Sequence, residues 1–103
     1  MRKLTNYMNF DFAKFQEGKT FIITNAKFNE NKGCVTLVVA ITVDPTGENL
    51  FEKFNVHLVN DTNENLVNEY PVGSACIFKK VGKCTPWGDY QSNLSVEAVV
   101  EVQ

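Results

Sequence analysis

Between residues 71 and 93, Lys79, Lys80 and Lys83 stand against a single acid, Asp89. The same stretch holds the only tryptophan, Trp87, with Tyr90 close behind it. Aromatic rings beside lysines suit a single-stranded nucleic acid. Bases stack on the rings at about 1–3 kcal/mol each, and ammonium groups neutralise phosphates. Gly88, between the two rings, lets the segment bend towards such a ligand. Stacking accepts any base, so little sequence specificity is expected. A structural use of the same residues competes: Trp87 covering a barrel mouth, with Lys79 and Lys80 keeping a strand edge solvated.

The charge of the whole chain argues the other way. Its 103 residues carry a net −2, so a local +2 in this stretch leaves −4 for the remainder. Nucleic-acid binders usually show a basic balance. Binding by this chain must therefore rest on the local patch and on stacking, not on the overall field.

Other chemistry finds little support. His57 is the only histidine. Without a second histidine or a well-placed cysteine it assembles neither a metal site nor a nucleophile–base pair, and it reads as a polar surface residue. Cys34, Cys76 and Cys84 are odd in number and lack CxxC spacing. They read as reduced thiols used as small hydrophobes, which points to a cytoplasmic protein without disulfides or zinc. Ser95, Glu97 and Glu101 look like an exposed strand face. The EGKT at residues 17–20 lacks the upstream glycine of a phosphate loop. The expectation is a protein that is not an enzyme and carries no cofactor and no metal.

Length and composition set the frame. A chain of 103 residues with 44% hydrophobic residues suits one folded domain with one modest core. No apolar run approaches the ~18 residues of a membrane span. The start, MRKLTNYMNF, is basic but has no apolar stretch after it, unlike a secretory signal. Residues 1–18 form an aromatic segment with Tyr7, Phe10, Phe12 and Phe15. It is expected as a short strand or one helical turn packing under a barrel end, or as an arm reaching a second subunit. Residues 19–103 form the main domain.

That domain reads as β structure. Residues 20–28 are β-branched and aromatic, and Asn31, Lys32 and Gly33 make a turn. In residues 34–43, Val35, Leu37, Val39, Ile41 and Val43 share the bulkier face and are placed inward. Cys34, Thr36, Val38, Ala40 and Thr42 then face outward. Asp44, Pro45, Thr46 and Gly47 form the next turn. Residues 51–59 alternate Phe54, Val56 and Leu58 with Lys53, Asn55 and His57. A short helix follows, with Asp61 as its cap, Glu64 completing a capping-box spacing, and Leu66, Val67 and Tyr70 on one face. Pro71 stops it. Strand four covers residues 74–82, a loop carries Pro86, Trp87, Gly88, Asp89 and Tyr90, and strand five covers residues 93–102.

Three strands, a short helix and two strands, with the Pro71 to Gly73 entry into strand four and an aromatic loop before strand five, resemble the OB-fold single-stranded nucleic-acid-binding group. The likeness covers residues 19–102. Small size, many asparagines and the acidic balance are similar to proteins of phages and conjugative elements of low-GC bacteria. The resemblance implies an all-β, mostly antiparallel, five-stranded OB-like barrel with its helix plugging one end. An SH3-like barrel or a β-sandwich is the competing fold.

It also implies a binding face across strands two and three, flanked by the loops between strands one and two and between strands four and five. This chain places Lys53, Asn55 and His57 there, with Lys27 and Lys32 from the first side and Lys79, Lys80, Lys83, Trp87 and Tyr90 from the second. The expected partner is single-stranded nucleic acid. The other reading is a protein-interaction or structural module, a homodimer through the small apolar stripe of Val38 and Ala40. Convergence of Lys53, Lys79, Lys80 and Lys83 around Trp87 and Tyr90 favours the first reading, and their scatter favours the second.

Overall fold

A computed structural model describes residues 11–88 and 93–103. Five strands run in order: β1 (Thr20–Asn29), β2 (Cys34–Val43), β3 (Lys53–Leu58), β4 (Ala75–Trp87) and β5 (Asn93–Val102). They close into a barrel in the order β1-β2-β3-β5-β4. Every pairing is antiparallel except β3 with β5, which is parallel. This is the five-stranded OB-like barrel that the element order predicts.

The barrel interior is built from alternation. Val35, Leu37, Val39 and Ile41 on β2, Phe54 and Val56 on β3, and Leu94, Val96 and Ala98 on β5 are all buried. β1 changes phase midway. Phe21 and Ile23 are buried first; a bulge between Ile23 and Asn25 then brings Ala26 and Phe28 against the core. One extra residue in a strand does this, because side chains alternate with a period of two. The hydroxyl of Thr24, in the bulge, donates to the Val38 carbonyl at 2.9 Å.

One end of the barrel is closed by a short helix, α1 (Phe12–Gln16), capped by the Asp11 carboxylate accepting from Lys14 N at 3.2 Å. Its Phe12 and Phe15 meet Phe21, Phe54 and Phe78, with Phe12 and Phe78 edge to face at 4.8 Å. The helical turn packing aromatics under the barrel is thus what residues 12–16 form. Residues 1–10, including Tyr7 and Phe10, lie outside the described residues.

α1 is fastened to the turn after β2 by Lys19. Its ammonium donates to the Phe15 carbonyl at 2.7 Å, lies 4.6 Å from the Phe15 ring centroid, and pairs with Asp44 at 3.6 Å. The lysine of the rejected EGKT stretch is a buried structural cation.

Several expectations need correction. Val43, placed inward, closes β2 half-exposed, and Cys34, Thr36 and Ala40, though on the outer face as expected, are buried. The helix between β3 and β4 is a 3₁₀ helix, Glu64–Glu69, capped by Asn63 and not Asp61. The Asp61 carboxylate accepts from the Tyr70 hydroxyl instead. Leu66, Val67 and Tyr70 do pack against the core.

The largest difference is β4. It continues past Gly82 to Trp87, so the expected loop from Pro86 is strand through Trp87. Two register shifts, between Phe78 and Lys80 and between Val81 and Cys84, let it bend with the barrel. β1 pairs with β4 only at Ala75 and Cys76, so the far part of β4 is bonded on one side, where a strand proline is tolerated.

Candidate functional site

The parallel pairing of β3 and β5 brings four strands into one outward-facing row. Lys27 on β1 opposes Thr36 on β2, Thr36 opposes His57 on β3, and His57 opposes Glu97 on β5. The next row holds Asn25, Val38, Asn55, Ser95 and, on β4, Thr85. Above these rows lies a cleft of about 270 Å³ lined by Lys32, His57, Lys83, Thr85, Trp87, Ser95 and Glu97.

Each lining side chain has a local reason to be there. Lys32 sits in the β1–β2 turn, where the Asn29 side chain accepts from Lys32 N at 3.1 Å and Gly33, at φ +68°, donates to the Asn29 carbonyl at 2.7 Å. Trp87 ends β4 opposite Asn93 and is 47% exposed, so its ring borders the cleft instead of filling the core. Lys83 lies in a bulge: Val81 opposes Ala98 and Cys84 opposes Val96, which leaves Gly82 and Lys83 against Glu97 alone.

His57 forms the floor and is not the surface residue its polar strand face suggested. It is 8% exposed, and its Nδ1 lies 3.0 Å from the Thr36 hydroxyl in a buried hydrogen bond. Burial pushes its proton affinity below the ordinary imidazole value, Lys32 pushes it further down, and Glu97 opposes them. At neutral pH the cleft floor is therefore a neutral ring.

The predicted site residues divide. Lys32, His57, Lys83 and Trp87 meet at the cleft, and Lys27 and Asn55 belong to the rows beneath it. Lys53, Lys79 and Lys80 do not join them. Lys53 opposes Ala40, four residues from His57 and about 13 Å along the strand. Lys79 pairs with Glu101 at 3.5 Å, and Lys80 opposes Val99. Tyr90 lies outside the described residues. Of the four lysines whose convergence was the criterion, only Lys83 stands at Trp87.

Thr85, Ser95 and Glu97 are additions. Strand alternation alone already puts Ser95 and Glu97 on the outer face of β5. The missing step was barrel closure, which sets β5 beside β3 and makes Asn55 and His57 their neighbours.

The cysteines are free: Cys34 and Cys76 are buried and Cys84 half-buried. Burial pushes the Cys76 thiol up to about 11, and burial together with Glu97 does the same for Cys84. Both stay protonated at neutral pH and are poor nucleophiles there. Among the described residues no group of His, Cys, Asp and Glu side chains gathers to hold a metal, and no helix is long and apolar enough to cross a membrane.

The fold is a closed, five-stranded all-β barrel. Set beside known proteins, the chain matches no family model, no curated relative and no solved structure.

Proposed function

We propose that the chain is a non-enzymatic binder of single-stranded nucleic acid, acting through the Trp87 cleft. The observation that supports this reading is the half-exposed Trp87 ring in one cleft with Lys32, Lys83 and the neutral His57. The ring offers a face for a base, at about 1–3 kcal/mol. The two lysines lining the cleft, with Lys27 in the row beneath it, offer two to three phosphate contacts.

The scatter of Lys53, Lys79 and Lys80 counts towards the interaction-module reading, and within the nucleic-acid reading it sets the scale. One stacking ring and two or three cations make a short, weak site, selective for an unpaired base. A salt slope of about −0.7 per phosphate gives a total near −2 at most. Fluorescence anisotropy of an end-labelled mixed-sequence strand at low salt tests the reading. A saturable rise that falls with added salt supports it, and a flat signal to high micromolar protein rejects it.

The second reading, a protein-interaction module, rests on a different surface. The Val38 and Ala40 stripe offers little exposed area, with Ala40 only 7% exposed. Val43, Leu50 and Phe51 instead flank one turn with large apolar side chains in solvent. A light-scattering mass of twice the chain, with no affinity for oligonucleotides, favours that reading.

A further inference from the structure

Glu97 is a strange neighbour for a phosphate site. It is half-buried in the cleft, opposite His57 and against the bulge at Gly82 and Lys83. A Cβ added at Gly82 would sit 3.8 Å from the Glu97 Cβ, in ordinary contact, so the bulge lies directly beside this residue. Among the described residues Glu97 makes no ion pair and no side-chain hydrogen bond, although Lys32 and Lys83 line the same cleft. A carboxylate placed here repels phosphate, so the inner part of the cleft is a poor phosphate site. The lysines are left to hold the backbone at its rim.

An ionised carboxylate is acceptor-only. What it recognises must present N–H donors, and two side by side match its two oxygens best. Among the bases, guanine offers this pair on its Watson–Crick edge, from N1–H and the N2 amino group. Cytosine and adenine present one amino group there. Thymine and uracil present one N–H between two carbonyl oxygens, which face the carboxylate with like charge. The cleft, at about 270 Å³, lies just below the roughly 300–1,000 Å³ of clefts for drug-sized ligands, which suits one base. Thr85 and Ser95 add hydroxyls that adapt to the remaining edge.

We infer that the Trp87 cleft is a guanine-selective pocket, in which the base stacks on Trp87 and Glu97 accepts from its N1–H and N2 amino group. This rests on the nucleic-acid reading and sharpens it, replacing base-indifferent stacking with preference for one base at one position.

The test uses the full chain and three labelled strands at low salt: all-thymidine, the same strand with one central guanosine, and the same with inosine, which lacks the N2 amino group. The guanosine strand should bind about five- to 150-fold tighter than all-thymidine, the range of a bidentate base contact, with inosine between them. Glu97→Gln, which removes the charge and one of the two acceptor oxygens, should bring the guanosine and all-thymidine strands to the same affinity. Equal affinity for the guanosine and thymidine strands overturns the inference and leaves the nucleic-acid reading standing. So does a preference that survives in Glu97→Gln. Absence of binding by all three strands removes both.

Discussion

The Thr36 hydroxyl and His57 Nδ1 lie 3.0 Å apart, and this buried hydrogen bond joins β2 to β3 beneath the cleft. Burial, with Lys32 adding to it, holds the His57 proton affinity below the ordinary value. The unfolded chain therefore binds the proton more readily than the folded one. Stability from this group is complete above about pH 6.5 and is lost as pH falls from there through the folded value. The urea midpoint should drop between pH 7.5 and 5.5 in the native chain. In His57→Gln, which keeps a partner for Thr36, it should stay level over that range. Equal slopes in the two would contradict the role given to His57.

The Lys19 and Asp44 pair predicts a second, more acidic transition. The Asp44 carboxylate accepts from Thr46 N at 3.1 Å, Thr46 Oγ1 at 3.0 Å and Asn49 N at 2.9 Å, besides pairing with Lys19. Burial alone would raise this carboxyl, but the Asn49 and Thr46 donors and the Lys19 charge outweigh it and hold it below the ordinary value. Its contribution is present above about pH 4 and lost as pH falls through the lower folded value. Both side chains are nearly inaccessible, at 4% and 0%. Asp44→Asn, which leaves Lys19 charged and unpaired, should cost about 3–5 kcal/mol in urea unfolding. Adding Lys19→Met should recover part of that loss, because the uncompensated cation is then gone. No recovery would mean that the turn hydrogen bonds, and not the ion pair, carry the effect.

Phe51 carries backbone strain that a single substitution should relieve. It is the one described non-glycine residue with positive φ, at +64°, and its side chain is 70% exposed. Phe51 N donates to the Ile41 carbonyl at 2.7 Å and Ile41 N donates to the Glu52 carbonyl at 2.9 Å, so Phe51 and Glu52 share one partner. That is a bulge whose first residue is usually glycine. An L-residue costs about 1–2 kcal/mol there, and glycine returns part of that as unfolded-state entropy. Phe51→Gly should therefore raise stability by up to about 1 kcal/mol, read as a higher urea midpoint at unchanged slope. A lower midpoint would show that the exposed ring contributes packing.

Much of the barrel was readable from the residues, and the reasons are local. Val35, Leu37, Val39 and Ile41 alternate without interruption, and the turn at 44–47 has proline and glycine where a type I turn takes them. What failed was long-range or irregular. Bulges carried β4 through Gly82 and as far as Trp87, and no propensity announces a bulge. His57 looked like a surface residue because its face is polar, yet the hydroxyl that satisfies it comes from another strand. Lys79 and Lys80 were grouped with Trp87 by proximity in sequence, and Lys53 by the strand-three face the resemblance implied, whereas strand register separates all three from it. Glu97 entered the site only once β5 lay beside β3.

Register also predicts which lysines matter. Lys83→Ala should weaken binding of a mixed-sequence strand and reduce the salt slope by about 0.7, one phosphate contact. Lys79→Ala should leave the slope unchanged, since Lys79 faces Glu101 away from the cleft. Equal losses from the two would place the strand along β4 and not across the barrel.

The central claim is that a base stacks on Trp87, and the emission of this single tryptophan reads it directly. Titration with a guanosine-containing single strand at low salt should quench the emission to saturation, and the effect should fade as salt rises. Unchanged emission across the micromolar range, from a chain shown by circular dichroism to be folded, would contradict it.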